Sequence, residues 1–410
     1  MKKTPRHTLV FDGNYFLFKT LYVLPHMTKS KDILSNKKDM GIFMKKLATD
    51  FAYEIRKFEG LIDRVVFTLD SRSWRKDFYP EAEYKGNRKA DKSINWENFT
   101  TIAEAFQTEL HKRGVILHKV QGAEGDDLMY AWNVECNSNA RSVILFTGDK
   151  DLIQLVNKNE NTNTHTILYS PVQKKLYAYE GFTKWLTAVE VKENDDIFSQ
   201  LSSLSSIESM TRKLLTDVLK KNKITTVEVD PEEIAFKKVL TGDSGDNVTP
   251  IYWHTTTHKS GTQRTYGVSE KKAQLILEEF EKKYGRVNSL YFFNHDYVEG
   301  LANIAIKILK AQHMSKEQII KNIQSNANLV LLNSTTIPES ILEEMFRTVE
   351  IHLQNKNLKL SALTTMIKIL EGSSYASNTS SQMTSKFVDS DDDDDDFSFI
   401  TDRKQKGKLF

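Results

Sequence analysis

The chain has 410 residues, enough for two domains or for one large domain with an appendage. Hydrophobic residues make up 39%, which is ordinary for a globular protein, and no apolar run is long enough to span a bilayer, which excludes a membrane-spanning protein. The formal net charge is +2, and removing the seven aspartates between Asp389 and Asp396 would leave +9, a surplus compatible with a polyanionic partner. We expect a cytoplasmic protein without a signal peptide, because the basic start leads straight into a strand and the single Cys136 excludes an internal disulfide.

The first two predicted strands each end at an aspartate. Residues 8–11 form a short β-type run that ends at Asp12, and residues 64–69, RVVFTL, form a second run that ends at Asp70. Between them, apolar residues recur at helical spacing over residues 41–58, which predicts an amphipathic helix packed on the sheet. This succession of strand, acid and helix favours an α/β fold.

A segment at about 71–112, which we call the basic arch, is crowded with basic and aromatic residues. Cations neutralise phosphates and rings stack on unpaired bases, so the composition favours a nucleic-acid contact over the alternative of a solvated loop. The residues concerned are Arg72, Trp74, Arg75, Lys76, Phe78, Tyr79, Tyr84, Lys85, Arg88 and Lys89. At the end of the arch, residues 96–112 have the apolar spacing of a helix.

The third predicted strand, residues 115–120, leads to three acids within four residues. Glu124, Asp126 and Asp127 stand at the entry of an apolar helix. The helix dipole favours acids in a first turn, and this alternative explains any one of them. Three acids exceed what capping requires, so we interpret them as candidate metal ligands.

The fourth predicted strand, residues 143–146, is followed by Asp149 and Asp151 and then by an apolar run, residues 152–156, that is expected to form a helix. Either aspartate alone has the alternative role of a helix cap. Ligands bind at the carboxyl ends of strands in α/β sheets, and neighbouring carboxylates repel unless a cation lies between them. Acids at four strand ends therefore predict a joint site for a hard divalent ion such as Mg²⁺.

Beyond these strands the pattern is less regular. Residues 166–170 and 175–179 predict a β-hairpin at the margin of the sheet. Residues 187–230 are polar and mixed, with helices expected around 197–204 and 210–219.

A helix is predicted to begin at Pro231 and to end at the turn TGDSGDNV. Asp243 and Asp246 in this turn are three residues apart, so both can face one cation, although a turn without function fits the local rules equally well.

A polar insertion, residues 251–265, separates this turn from a Gly turn and a helix start at residues 267–272. The backbone N–H groups and cations of such a helix start are suited to bind phosphate. His254 and His258 in the insertion are interpreted as surface histidines, since no third ligand is near. Residues 285–371 have a helical pattern.

The last segment, residues 372–410, combines a polar linker with a run of aspartates, which predicts a disordered acidic tail. Its exposed aromatic end is interpreted as solvated, with a docking peptide as the alternative.

The combination of these motifs resembles the 5′-nuclease family, which comprises flap endonucleases, 5′-to-3′ exonucleases of the bacterial DNA polymerase I type and phage ribonuclease H. The likeness spans about residues 8–285. The motifs that carry it are Asp12, Asp70, Tyr84-Lys85-Gly86-Asn87-Arg88, Glu124-Gly125-Asp126-Asp127, Gly148-Asp149-Lys150-Asp151 and Gly242-Asp243-Ser244-Gly245-Asp246-Asn247.

The resemblance implies a fold and its division into domains. It implies a PIN-like (Rossmann-like) α/β domain over residues 1–230, with a mostly parallel central sheet flanked by helices and carrying the basic arch. It also implies an all-α duplex-binding region with a helix-three-turn-helix over residues 231–371, followed by the disordered tail at 372–410. The insertion at 251–265 interrupts the usual turn of that motif.

The resemblance also implies a two-metal phosphodiesterase using two Mg²⁺ ions, for which Mn²⁺ would substitute. The first ion is assigned to Asp12, Asp70, Asp126 and Asp149, and the second to Asp151, Asp243 and Asp246, with Glu124 and Asp127 completing the cluster. Tyr84, Lys85 and Arg88 match the gateway residues, where the nucleotide at the scissile phosphate is stacked and neutralised. Nucleic-acid contacts are assigned to Arg75, Lys89, Gly267, Ser269, Lys271 and Lys272.

Our hypothesis is a monomeric, structure-specific 5′ nuclease that removes RNA primers and 5′ DNA flaps during replication and has ribonuclease H activity. Its substrates would be DNA and RNA–DNA duplexes, and its tail would dock on a sliding clamp or a single-strand-binding protein. Size and tail resemble a phage replication enzyme, which would act in the host cytoplasm. The alternatives are a PIN-type ribonuclease and a catalytically silent protein that binds DNA junctions.

Overall fold

Apolar strands separated by helices build the central sheet of the molecule. The computed structural model describes residues 7–29, 31–188, 201–257 and 263–354. The sheet consists of β1 (His7–Asp12), β2 (Ile62–Thr68), β3 (Ile116–His118), β4 (Ser142–Phe146), β5 (Asn157–Asn159), β6 (Thr164–Ser170), β7 (Lys175–Tyr179) and β8 (Thr225–Val229).

The order of the strands explains where their ends meet. Along the sheet they follow β3-β2-β1-β4-β6-β7-β8, and β5 pairs with β6. The strands from β3 to β6 are parallel, β7 is antiparallel to β6, and β8 is parallel to β7. Every residue of β1 and β4 is buried, as expected for parallel strands covered on both faces. The carboxyl ends of β1 to β4 therefore share one edge.

The helices alternate with these strands and then continue beyond the sheet. In chain order they are α1 (Gly13–Leu21), α2 (Leu24–Thr28), α3 (Lys37–Lys57), α4 (Trp74–Phe78), α5 (Trp96–Lys112), α6 (Gly125–Ser138), α7 (Phe182–Thr187), α8 (Leu201–Asn222), α9 (Pro231–Thr241), α10 (Glu270–Tyr284), α11 (His295–Leu309), α12 (Lys316–Val330) and α13 (Glu339–Gln354). A small hairpin, β9 (His254–Thr257) and β10 (Gln263–Tyr266), separates α9 from α10.

Helices cover both faces of the sheet. Phe11 of β1 contacts Phe51 of α3, with ring centroids 4.6 Å apart, and Phe106 of α5 joins the same aromatic cluster. Thr8 of β1 instead contacts Cys136 of α6. Since successive strand residues point to opposite faces, α3 and α5 lie on one face and α6 lies on the other. Helix α13 packs against α6.

The helices after β8 have a core of their own. Phe236 of α9 contacts Phe280 of α10, with ring centroids 5.7 Å apart, inside an apolar cluster that also includes α11 and α12. Asn326 of α12 donates to the carbonyl oxygen of Val239 at 2.9 Å, which fastens α12 to α9. None of the helices described in these ranges is both long enough and apolar enough to cross a membrane.

The predicted sheet is confirmed, and three local predictions are wrong. Residues 152–156 contribute only to a 3-10 turn, Asp151–Leu155, because β5 begins directly after it. The β6–β7 hairpin is not the margin of the sheet, because the unpredicted strand β8 pairs with β7. One helix, α8, stands where two were expected.

The predicted domain limits remain predictions. Helix α13, in the second predicted domain, packs against α6 of the first, and its Met345 and Val349 belong to the core of the sheet region. The predicted tail at 372–410 and part of the 197–204 helix lie outside the described residues.

Candidate active site

Asp12 is the first of four aspartates at the carboxyl edge of the sheet, and it is buried. It ends β1 and caps α1, and its side chain accepts hydrogen bonds from the Tyr15 N–H at 2.9 Å and from the Thr147 hydroxyl at 2.8 Å. Burial raises the pKa of Asp12 to about 7, and the charges of Asp70 and Asp149 act in the same direction. The side chain is therefore held rigidly in a place where its charge is unfavourable.

Asp70 follows β2 and reaches the start of α6. It accepts hydrogen bonds from the Gly125 N–H at 2.6 Å and from the Asn14 amide at 2.5 Å. A Cβ at Gly125 would lie 2.8 Å from an Asp70 oxygen, so only glycine allows this approach. Burial raises the pKa of Asp70, and the Glu124 charge adds to the shift, although Lys85 opposes it.

Asp126 and Asp149 complete this set, which we call the inner group (Asp12, Asp70, Asp126, Asp149). Burial raises the pKa of Asp126 well above its usual value, and the charges of Asp149 and Asp12 contribute. Burial also raises the pKa of Asp149, whose carboxylate accepts from the Asp151 N–H at 2.9 Å. The four carboxylates thus influence one another electrostatically, as the four strand ends predicted.

The chemistry of the inner group fits a hard divalent cation. Its donors are all carboxylate oxygens, the ligands preferred by Mg²⁺, and burial and mutual repulsion disfavour their charged forms. Among the described residues, no lysine or arginine nitrogen lies within 4.0 Å of any of the four carboxylates. The negative charge of the inner group is therefore only partly offset by the protein.

Glu124 and Asp127 are paired with cations of the protein, and their assignment as metal ligands stays a prediction. The guanidinium of Arg75 donates to Glu124 and to Asp127, at 3.0 Å in each case, and the Trp74 indole donates to Asp127 at 3.1 Å. Asp127 is fully buried and also accepts from the Glu124 N–H, so it caps α6. Although burial opposes ionisation, the charges of Lys85 and Arg75 lower the pKa of Glu124 to about 2.

Arg75 was expected to bind nucleic acid, and this prediction is wrong. The residue is 2% exposed, and its Nε donates to the Leu329 carbonyl oxygen at 2.9 Å. Because Leu329 lies in α12, Arg75 connects the helical region to the acids at the start of α6. Arg75 is therefore a buried structural residue, and its hydrogen bond also holds the Glu124 carboxylate in place.

Lys85 lies at the edge of the inner group. Its N–H donates to the Asp246 carbonyl oxygen at 2.9 Å, its backbone has a φ of 57°, and its ammonium pairs with Glu124. Burial opposes the charge, but Glu124 raises the pKa of Lys85 well above its usual value. Lys85 therefore presents a permanent positive charge, fixed at both backbone and side chain, beside the inner group.

Tyr84 does not have the exposure expected of a stacking residue. It is 6% exposed, packs against Val248 and Leu329, and donates its hydroxyl hydrogen bond to Asp246 at 3.0 Å. In this conformation the ring is covered by protein, which corrects its assignment as a platform for a nucleotide. Arg88 pairs with the same aspartate.

The remaining predicted ligands form an outer group (Asp151, Asp243, Asp246) whose charges are compensated by protein cations. Lys238 of α9 lies 2.8 Å from an Asp151 oxygen and 2.5 Å from an Asp243 oxygen. Burial raises the pKa of Asp151 to about 7, despite Lys238. Burial opposes ionisation of Asp243 too, but the hydrogen bond from Lys238 lowers its pKa.

Lys238 is the main residue that the sequence interpretation missed. It lies in the last turn of α9, five residues before Asp243, and a basic residue so close to an acidic turn was the available signal. The same position also suits a cation that merely offsets the helix dipole, so the signal was weak.

The predicted nucleic-acid residues outside the arch lie on the surface. Gly267, Ser269, Lys271 and Lys272 are exposed at the start of α10, where the Ser269 hydroxyl accepts from the Lys272 N–H at 3.4 Å. Lys89, which belongs to the arch, is exposed as well.

A second acidic cluster lies elsewhere. Within the described ranges, only His295, Asp296 and Glu299 bring three ligand atoms within 4.8 Å of one another. These residues begin α11 near the surface, far from the strand ends in sequence, and such groups are common without a metal.

Comparison with known proteins finds a family match that lies mainly in the sheet region. Residues 7–194 match the model of the 5′-3′ exonuclease, N-terminal resolvase-like domain. DNA polymerase I of Caldicellulosiruptor bescii is 22% identical over 274 residues, which are 66% of this chain and 24% of that protein. The 5′-3′ exonuclease of Aquifex aeolicus is 24% identical over 216 residues, 52% of this chain and 68% of that protein. The chain thus spans about a quarter of the length of the first of these relatives.

Two solved structures are similar over most of the chain. The bacteriophage T5 D15 protein, co-crystallised with metal ions, has a TM-score of 0.46 and 15% identity, covering 85% of this chain and 100% of that one. Human GEN1 in complex with Holliday junction DNA has a TM-score of 0.38 and 15% identity, covering 89% of this chain and 74% of that one.

Proposed function

We propose that the chain is a structure-specific, Mg²⁺-dependent 5′ nuclease of the 5′-3′ exonuclease family, whose N-terminal domain model is matched by residues 7–194. Its reaction is the hydrolysis of phosphodiester bonds, and its substrates are 5′ RNA primers and 5′ DNA flaps formed during replication. Hydrolysis of the RNA strand of an RNA–DNA duplex is part of the same proposal.

The observation that carries the proposal is the placement of the inner group at the carboxyl edge of the sheet, where the charges of its members act on one another. Asp12 is buried, Asp70 and Asp126 are half-buried and Asp149 is exposed, and desolvation by the surrounding protein raises the pKa of each. Burying charges without a partner costs stability, so the arrangement is explained best by a cation that binds there. Capping of separate helices does not explain four acids that act on one another.

Two Mg²⁺ ions, replaceable by Mn²⁺, are proposed to bind, one at the inner group and one at the outer group. When bound, they supply an activated water at neutral pH and neutralise the charge that develops on the leaving 3′ oxygen. The chain supplies the oxygen ligands and a rigid frame for them, since Asp12 and Asp70 are each fixed by two hydrogen bonds.

Three basic residues of the chain, Lys85, Arg88 and Lys238, have different roles in this proposal. Lys85, held between Glu124 and the Asp246 backbone, neutralises the scissile phosphate and positions it over the inner group. Arg88 reaches the same region through Asp246. Lys238 keeps Asp151 and Asp243 together while their charges lack another partner.

A labelled duplex with a 5′ flap tests this function. Product that forms with Mg²⁺ and is absent in EDTA is expected. Preferential cleavage of unpaired RNA would favour the PIN-type ribonuclease, and binding of the junction without any product would favour a silent junction-binding protein. Either of these two results would contradict the proposal.

The acidic tail is proposed to recruit a replication partner. Deleting residues 373–410, which lie outside the described residues, should spare hydrolysis of short substrates but abolish stimulation by a sliding clamp or a single-strand-binding protein. Stimulation that survives the deletion would count against this role.

A further inference from the structure

Two turns of the chain lie side by side at one end of the sheet. In the turn between β6 and β7, the Lys174 carbonyl oxygen accepts a hydrogen bond from the Thr225 N–H, the first residue of β8, at 3.0 Å. In the turn after α8, which leads into the same strand, the Lys223 N–H donates to the Lys220 carbonyl oxygen at 3.3 Å. Because β7 also pairs with β8 from Lys175 and Thr225 onward, the two turns are held together.

Both turns carry lysines and no acids. We call this surface the lysine patch (Lys174, Lys175, Lys220, Lys221, Lys223). Four of these side chains are exposed, and Lys175 is half-buried. No aspartate or glutamate occurs in residues 170–179 or 218–227. In the described part of the chain, every lysine that forms an ion pair lies outside the patch.

The helix dipole explains only part of this charge. Lysines in a last helical turn offset the dipole, which accounts for Lys220 and Lys221 of α8. It does not account for Lys174 and Lys175, which belong to the turn and strand of a different element. Like charges brought together from two elements repel each other, so the patch favours a polyanionic partner.

The patch lies on the same edge of the sheet as the inner group. Strand β6 ends at Ser170, whose partner in β7 is Lys175. The residue before Ser170 is Tyr169, and its carbonyl oxygen accepts from the Thr147 N–H at 3.2 Å, while the Thr147 hydroxyl donates to Asp12 at 2.8 Å. Strands β7 and β8 are two and three places from β4, so a strand spacing of about 4.8 Å puts the patch about 10–14 Å from the end of β4.

The basic arch and the lysine patch flank the inner group on opposite sides. Along the sheet, the arch follows β2, whereas the patch belongs to β7 and β8. Asp12 and Asp149 follow β1 and β4, which lie between these strands. A polyanion that extends from the arch across the inner group therefore reaches the patch.

We propose that the lysine patch binds the phosphate backbone of the nucleic acid that the active site cleaves. This inference rests on the proposed function and adds a contact beyond the inner group. Lysine ammonium groups bind phosphates as point charges without reading sequence. At about 3.4 Å of helix axis per nucleotide, the contact lies about three or four nucleotides from the scissile phosphate.

Removing one charge from each turn tests the proposal. For Lys174→Gln/Lys223→Gln, the dissociation constant of a duplex with a 5′ flap, measured in EDTA, should rise about tenfold. The log–log salt slope of binding should fall by about two units, because two phosphate contacts are lost. Lys174→Arg/Lys223→Arg keeps both charges and should bind like wild type.

A matched control removes two lysines from the opposite edge of the sheet. Lys112 ends α5 shortly before β3 begins, and Lys184 lies in α7, which follows the end of the antiparallel strand β7. Both side chains are exposed. Lys112→Gln/Lys184→Gln should therefore keep the affinity and the salt slope of wild type.

Several outcomes would overturn the inference. Equal affinity and salt slope for wild type and Lys174→Gln/Lys223→Gln would remove the patch from the interface, and so would an equal loss in the control. A loss that disappears when residues 373–410 are deleted would assign the patch to the acidic tail instead. If the wild type cleaves flaps but the glutamine variant binds like wild type, only this inference fails. If that variant binds weakly but the wild type never cleaves, only the proposed function fails.

Discussion

The inner and outer groups lie side by side, yet the protein treats their charges differently. The charge of the inner group is only partly offset, whereas each acid of the outer group contacts a cationic side chain, Lys238 or Arg88. An acid that has its own counter-ion in the protein contributes to stability without any ligand. An acid without one is retained at a cost in stability. The inner group is therefore the part of the site that most needs a bound cation.

The largest expected effect is on catalysis by the inner group. Asp149→Ala should abolish cleavage of a 5′-flapped duplex, a loss of at least about 10³-fold, because one of the proposed metal ligands is removed. Binding of the duplex should remain measurable by fluorescence anisotropy. Full activity of the variant would show that Asp149 takes no part in the reaction.

Removing the charge of Lys85, one of the predicted gateway residues, should give the next largest effect. Lys85→Ala should lower turnover by about 10²-fold, because the charge proposed to position the scissile phosphate is lost. Duplex affinity should change much less, and Lys85→Arg should recover part of the turnover. Equal losses of turnover and affinity would show that Lys85 is only one of many binding contacts.

A stability measurement compares the groups without any substrate. Asp12→Asn should raise the free energy of unfolding of the metal-free protein at pH 8 by about 1–3 kcal/mol, since it removes a buried charge. The amide oxygen of asparagine can still cap α1, as Asp12 does through the Tyr15 N–H.

The pH dependence of this gain follows from the raised pKa of Asp12. Because the folded state holds a proton up to a pKa of about 7 and the unfolded state only to 3.8, stability falls as the pH rises between these values. The advantage of Asp12→Asn should therefore shrink as the pH falls from 7 towards 4. A constant advantage over this range would contradict the shifted titration of Asp12.

The smallest expected effect comes from removing the cation of the outer group, which would leave its acids as poorly compensated as those of the inner group. Lys238→Met keeps most of the side-chain volume but leaves Asp151 and Asp243 without their shared cation, so metal-free stability should fall by about 1 kcal/mol. Added Mg²⁺ should then stabilise the variant more than wild type in thermal unfolding. If Mg²⁺ stabilises both equally, Lys238 does not compensate these acids.

Much of the sheet was predictable, and the reason is local. β1, β2 and β4 are apolar runs buried on both faces, and each leads to an aspartate. The same sequence pattern therefore predicts both the strands and the edge of the sheet at which the candidate site lies. Strand β8 was not predictable, since its sequence TTVEV is only half-buried and follows a polar region.

Partners distant in sequence account for the errors at the site. Arg75 stands in a run of basic residues that indicates a solvated or nucleic-acid-binding surface. Its burial depends on Glu124, Asp127 and the Leu329 carbonyl, which are between 49 and 254 residues away. Tyr84 is covered by Val248 and Leu329 for the same reason. Local composition specified the residue types but not their neighbours.

The central claim is that the inner group binds a divalent cation, and the stability of the protein as a function of Mg²⁺ concentration tests it most directly. Wild type should become more stable as Mg²⁺ rises, by about 2.7 kcal/mol at a hundredfold excess over the dissociation constant, and Asp126→Asn should lose most of this gain while remaining folded. Equal stabilisation of wild type and Asp126→Asn by Mg²⁺, or no stabilisation of either, would contradict the claim.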